Sequence, residues 1–207
     1  MLINISVVEA EKILERSIIN FPYNKFVLHW TDYEDTNLIV NLLKGCRAIL
    51  ELGTYKGHTT QNIASICDPE YLITVDIVKE SGYLPPNIQA HELLSESESG
   101  MMINHPSVSK IHLTTDEFFE TNCANFDGIF IDAAHNYDNV VKDIENAKKI
   151  LNPGGIIVCH DVYNQDRACS KALAEPNNPD VVDALFDDKA IFYKVGRSWV
   201  AFMISSK

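Results

Sequence analysis

The stretch ILELGTYKGHTT, Ile49 to Thr60, constrains this chain more than any other. Ala48, Ile49, Leu50 and Leu52 form a short apolar run of the kind found in a parallel strand covered on both faces, with Glu51 near its carboxyl end. Gly53 and Gly57 then bracket a turn in which the backbone can take positive φ and a ligand can approach without meeting a Cβ. Thr59 and Thr60 offer hydroxyls where a helix begins. A strand, a Gly-x-x-x-Gly turn and a helix make a nucleotide-sized cradle at the carboxyl edge of a sheet, where open α/β folds bind ligands. The dinucleotide fingerprint G-x-G-x-x-G sets a pyrophosphate on the helix N-terminus. Here acidic Glu51 precedes the first glycine and Tyr55 stands where that fingerprint has its second, which suits a cationic ligand better than an anionic one. The same pattern also serves as an ordinary βα turn.

The neighbouring segments supply the rest of a doubly wound sheet. Tyr71 to Asp76 reads as a second buried strand ending in a carboxylate, roughly 20 residues after Gly57, the spacing at which an acid hydrogen-bonds a ribose diol in nucleotide-binding βαβ units. Lys110 to Thr114 reads as a third strand, with Thr115 and Asp116 beyond it, in reach of a bound base or serving as a helix cap. Phe126 to Asp132 is a fourth, followed by a helix with Val140, Ile144, Ala147 and Leu151 on one stripe. Ile156 to Asp161 is a fifth, and Ile191–Val195 and Trp199–Ile204 form a terminal antiparallel hairpin about Gly196-Arg197-Ser198. Upstream, the S-x-x-E capping box Ser6 to Glu9 starts a helix, and a second helix runs within Thr31 to Leu43. A further helix is expected within Asn87 to Leu94, in a stretch that otherwise reads as a solvated loop. The whole reads as an N-terminal helical appendage, residues 1–34, and a ligand-binding domain, residues 35–207, built on a mostly parallel seven-stranded sheet closed by the antiparallel hairpin.

Charge and cysteine usage narrow the partners. A formal charge of −12, with 17 scattered Lys and Arg, argues against nucleic-acid or anionic-membrane binding. No basic leader and no 18-residue apolar stretch is readable, so a cytoplasmic protein is expected. Five cysteines without a C-x-x-C pair read as reduced thiols. Glu51, Asp76, Asp132, His160 and Asp161 all fall at the carboxyl ends of strands, so the fold gathers them at one crevice, where carboxylates also invite a divalent cation.

These residues resemble the class I S-adenosylmethionine-dependent methyltransferases over residues 35 to 205. ELGTYKG is similar to their acidic-x-Gly-x-x-x-Gly cofactor loop, Asp76 to their ribose acid, and the hairpin to their reversed last strand. Within the class, FDGIFIDAAHNYDNVVKDI followed by LNPGGIIVCHDV is most similar to small-molecule O-methyltransferases of the cation-dependent catechol and antibiotic-sugar types. The resemblance implies S-adenosylmethionine bound by Glu51, Gly53, Thr54, Gly57, Thr59, Asp76, Thr115, Asp116 and Asp132. It implies Mg²⁺ or another divalent cation on Asp132, His160 and Asp161. Asp132 and His135 would be the catalytic pair, His135 with a near-neutral pKa as proton acceptor for a small-molecule hydroxyl. Ala134 departs from the pattern by lacking the second carboxylate of I-D-x-D. A non-catalytic cofactor-binding protein on the same fold stays open, as does a nicotinamide oxidoreductase, although G-x-G-x-x-G and a Tyr-x-x-x-Lys pair are both absent. The acceptor and the oligomeric state, a homodimer included, stay open too.

Overall fold

A computed structural model describes residues 1–27, 31–84, 93–162 and 179–206. Its first element is a strand, β1 (Leu2–Ile5), where the sequence suggested only helix; the capped helix α1 (Val7–Leu14) follows, with Ser6 and Glu9 forming the expected reciprocal cap. Helix α2 (Tyr33–Leu43) is capped by Asp32 and buries Leu38, Ile39, Leu42 and Leu43, the residues whose spacing marked it as amphipathic. Then come β2 (Ala48–Leu52), α3 (His58–Cys67), β3 (Tyr71–Asp76), β4 (Val108–His112) and α4 (Thr115–Thr121). The second half runs β5 (Phe126–Ile131), α5 (Tyr137–Ile150), β6 (Leu151–Cys159), α6 (Pro179–Asp187), β7 (Phe192–Val195) and β8 (Ala201–Ile204). The helix expected within 87–94 falls almost wholly outside the described residues, as does Cys169.

The strands form one eight-stranded sheet in the order β1-β7-β8-β6-β5-β2-β3-β4. Strand β8 runs antiparallel between β6 and β7, and the other pairings are parallel, as the doubly wound reading requires. The eighth strand is β1, which extends the sheet beyond the seven expected by pairing with β7 at its edge. Side chains alternate between two cores. Leu50, Leu52, Ile129, Ile131 and Ile157 pack toward α4, α5 and α6, while Ile49, Phe130, Ile156 and Val158 pack toward α1, α2 and α3. Because both faces are covered, the strands carry almost unbroken apolar runs. No helix among the described residues is long and apolar enough to cross a membrane.

From β2 the chain winds outward through β3 to β4, and from β5 it winds the other way to β6. The switch point lies between the carboxyl ends of β2 and β5, where a crevice opens in folds of this kind. Backbone bonds continue past both tips: Gly53 N–H donates to Val75 O and Asp132 N–H to Leu52 O, each at 2.8 Å. Position 53 must be glycine. Its φ is +97°, and a Cβ there would lie 2.1 Å from Asp132 O.

Candidate functional site

Glu51 is an interior residue of β2 and has no exposure to solvent, whereas the sequence placed it at the turn. It shares a face with Ile49, toward α3, where the hydroxyls of Thr60 and Thr74 both donate to Oε2, the latter at 2.5 Å. Its other oxygen, Oε1, is buried without a hydrogen-bond partner. Burial pushes its carboxyl up to about 8, against the pull of the two threonines and with the help of Asp132 and Asp76. Of the two threonine hydroxyls at the start of α3, that of Thr60 reaches this carboxyl.

The turn itself is organised by Asp76 at the tip of β3. Its Oδ2 accepts from Thr54 N at 3.1 Å and Tyr55 N at 2.6 Å, and its Oδ1 from Ile77 N at 2.8 Å. Burial raises its pKa against those three bonds. Tyr55 takes left-handed φ of 47°, and Gly57 at +84° is the helix cap. Thr54 adds a 2.5 Å contact to the Thr74 hydroxyl. Thr115 and Asp116, at the start of α4, are engaged elsewhere: Asp116 pairs with Lys142 at 2.7 Å, and Thr115 hydrogen-bonds Asp143.

On the other side of the switch point three ligand-type groups converge. Asp132, His135 and Asp161 each offer one atom, and these atoms lie within 4.8 Å of one another. Without an ion the cluster is closed by His135 Nε2 and Asp161 Oδ2 at 2.8 Å, with Asp132 Oδ1 at 3.9 Å. Asp161 holds left-handed φ of 59°, rare for a residue with a side chain and common where a site fixes the backbone. Although burial disfavours its charge, His135 is pushed up to about 10 by the two carboxylates, not near-neutral as expected from the sequence. Its ring is half-exposed, so solvent screens part of that pull.

His160 stands apart from the expected metal set. Its Nδ1 faces Asp132 Oδ1 at 3.2 Å and Asp161 Oδ1 at 3.4 Å, and its Nε2 faces Asp35 Oδ2 at 3.4 Å. Only 9% of it is exposed, and Phe130 and Trp199 flank the ring at 6.5 Å. Burial opposes its charge, yet the surrounding carboxylates raise it well above the usual imidazole range. Asp132, for which burial alone would raise the pKa, is held well below the carboxylate range by His160 and His135. His160 and Asp161 follow the last residue of β6, Cys159, and the left-handed backbone at Asp161 brings its Oδ2 to His135 while its Oδ1 stays 3.4 Å from His160 Nδ1.

A void of about 10 Å³ lies under this cluster, barely one water in size. A larger cleft of about 280 Å³ opens at the opposite end of the sheet, beside Gly45, Cys46, Asp127 and Pro153. Asp127 there is engaged by Arg47 N, Ala48 N and Asn152.

A doubly wound sheet closed by a reversed strand, with a glycine turn and acidic tips facing each other across its switch point, is the architecture of a Rossmann-like methyltransferase. The chain belongs to a methyltransferase domain family, whose profile matches residues 50–162, more than half of its length. Solved structures with the same fold include SAH-bound PaMTH1 from Podospora anserina, with TM-score 0.58, 18% identity and coverage of 97% of this chain and 87% of that one. Cofactor-bound Rv0187 from MTB gives TM-score 0.56, 21% identity and coverage of 88% and 84%. TomG from Streptomyces achromogenes, an O-methyltransferase involved in tomaymycin synthesis and solved with SAM, gives 0.51, 16%, 97% and 88%. None of the curated proteins is significantly similar in sequence.

Proposed function

We propose that this protein transfers a methyl group from S-adenosylmethionine to a hydroxyl of a small molecule, with a divalent cation at Asp132, His135 and Asp161. The observation that carries the reading is the convergence, at one switch point, of the Gly53–Gly57 turn on Asp76 and the Asp132–His135–Asp161 cluster. Binding of SAM or SAH in the solved relatives supports the cofactor, and TomG supports an oxygen acceptor. The net charge of −12 supports a small-molecule acceptor over nucleic acid.

The residues present fit the cofactor. A carboxylate has roughly four lone-pair sites, and Asp76 uses three on its own loop, leaving one on Oδ1 for a ribose hydroxyl. Glu51 keeps one buried oxygen without a hydrogen-bond partner among the described residues, a polar group that the methionine end of the cofactor would satisfy. When bound, S-adenosylmethionine would supply a sulfonium methyl whose bond to sulfur breaks as the acceptor oxygen bonds to its carbon, with S-adenosylhomocysteine as the leaving group. The protein's part is chiefly alignment of the two reactants and removal of the acceptor's proton.

The donor set also fits a cation. Two ligands on one ion at roughly 2.0–2.6 Å are at most about 5 Å apart, and the three groups meet that limit. With Ala134 lacking the pattern's second carboxylate and the imidazole of His135 beside it, the set is mixed nitrogen and oxygen, which favours Mn²⁺ or a later transition ion over Mg²⁺. Asp132 and Asp161 would hold the ion, and the ion would bind and acidify the acceptor hydroxyl. His135, which the two carboxylates keep protonated, would serve as ligand or proton acceptor only once a cation on those carboxylates had released its proton.

Two results test this. Asp76→Ala should weaken SAH binding by about 1–3 kcal/mol, roughly 5- to 150-fold, because a charged acceptor is lost; unchanged affinity in calorimetry removes the ribose assignment. Asp161→Ala should abolish methyl transfer and leave SAH binding intact, and excess chelator should do the same to the native protein. Transfer that proceeds undiminished in chelator would discard the cation and leave the 2.8 Å His135–Asp161 pair as the base.

A further inference from the structure

Asp35 lies in the first turn of α2, more than 100 residues from the strand tip it faces, and only 2% of it is exposed. A carboxylate in a helix's first turn is stabilised by the macrodipole while still in water, as Glu34 beside it would be, so that position gives no reason to bury one. Burial of an ion is costly unless the group is paired. Its Oδ1 accepts a hydrogen bond from Trp199 N at 3.0 Å, and its Oδ2 lies 3.4 Å from His160 Nε2, a buried ion-pair contact in which Nε2 has no hydrogen-bond partner among the described residues. Trp199 O in turn accepts from Val162 N at 2.9 Å, so the turn entering β8 is tied both to α2 and to the chain just beyond Asp161. His160 passes the contact on, since its Nδ1 faces Asp132 Oδ1 at 3.2 Å.

We infer that Asp35 is a positioning residue for the site, acting through His160. It fixes the imidazole with Nε2 toward α2, and the ring fixes the Asp132 carboxylate at the tip of β5. The inference rests on the reading of Asp132 as a functional group of the methyl-transfer site. It follows the logic by which an outer carboxylate orients a histidine that in turn orients a reacting or ligating group. The consequence is that α2, the helix nearest the N-terminal segment, reports on the geometry of a site built by the second half of the chain. Both Asp35 and His160 act here without touching the acceptor.

The test compares the native protein with Asp35→Asn, His160→Gln and the double variant. Long-range proton–nitrogen NMR of the histidine rings, with His160 assigned by its loss in His160→Gln, should show its Nε2 signal displaced in Asp35→Asn. Mn²⁺ affinity should fall by on the order of 10- to 100-fold in Asp35→Asn. The double variant should be no weaker than His160→Gln alone, because one residue acts through the other. SAH affinity should stay within about twofold in all of them. Superimposable His160 signals in native and Asp35→Asn protein, or Mn²⁺ losses that add in the double variant, would overturn the inference. If the native protein takes no Mn²⁺, the cation reading falls and the ring signals alone decide this one. If it takes no SAH, the methyltransferase reading falls separately. Should Asp35→Asn fail to fold, Asp35→Glu moves the carboxylate without removing it, and the same ring signal must shift.

Discussion

Glu51→Gln will be more stable than the native protein above pH 8 and will bind S-adenosylmethionine more weakly. Glu51 has no solvent exposure, and burial lifts its carboxyl to about 8 from an ordinary 4.5. The folded protein therefore holds a proton that the unfolded chain has already lost. Its contribution is fully present below pH 4.5 and is lost as pH rises through 8, a change on the order of 5 kcal/mol at about 1.36 kcal/mol per unit. Glutamine cannot ionise and escapes that loss, while it keeps an acceptor for the Thr60 and Thr74 hydroxyls. For a chain of this length the difference at pH 9 corresponds to a melting-temperature gain on the order of 10 °C. Melting curves at pH 5 and pH 9 check it: the two proteins should be close at pH 5 and separate at pH 9. Curves that stay parallel across that range would mean that Glu51 is not held neutral by burial.

Gly53→Ala will cost more than about 3 kcal/mol and abolish cofactor binding, whereas Gly82→Ala will cost about 1 kcal/mol. Both glycines have positive φ, +97° and +70°. What separates them is what a methyl group would meet. At position 53 it would lie 2.1 Å from Asp132 O, 2.6 Å from Asp132 C and 3.0 Å from Ala133 Cα, all backbone atoms that cannot swing aside. At position 82 nothing among the described residues lies within 4 Å. Because Gly53 separates the cofactor turn from the tip of β5, the added methyl must push the two halves of the crevice apart. Urea denaturation of the two variants reads the difference, and equal midpoints would contradict the close packing of these tips.

Most of the sheet was legible because its strands are buried on both faces and announce themselves as apolar runs ending in Glu, Asp or His. Strand β1 was not. Four residues ahead of a capped helix carry too short a pattern to separate from a lead-in, and the partner of β1, β7, lies at the far end of the chain. In the site, Asp76, Asp132 and Asp161 were found because a polar residue at the end of an apolar strand is conspicuous. The sequence expected Asp132, His160 and Asp161 around one ion; the fold adds His135 at 2.8 Å from Asp161 and keeps His160 Nδ1 at 3.2–3.4 Å from Asp132 and Asp161, with its Nε2 toward Asp35. The approach of His135 depends on the left-handed turn at Asp161, which no strand pattern announces. That Thr60 bonds Glu51 could be read only by knowing which face of α3 meets β2. Asp35 had no signal at all, because a carboxylate in a helix's first turn is ordinary and both of its partners are more than 100 residues away. The raised pKa of His135 was likewise invisible, since it comes from two carboxylates that only the fold brings together.

Calorimetric titration with S-adenosylhomocysteine, with NAD as the control ligand, tests the central claim most directly. The account predicts one saturable site for S-adenosylhomocysteine per chain, weakened roughly 5- to 150-fold by Asp76→Ala, and no heat from NAD. Binding of NAD in place of S-adenosylhomocysteine, or S-adenosylhomocysteine binding that Asp76→Ala leaves untouched, would contradict it.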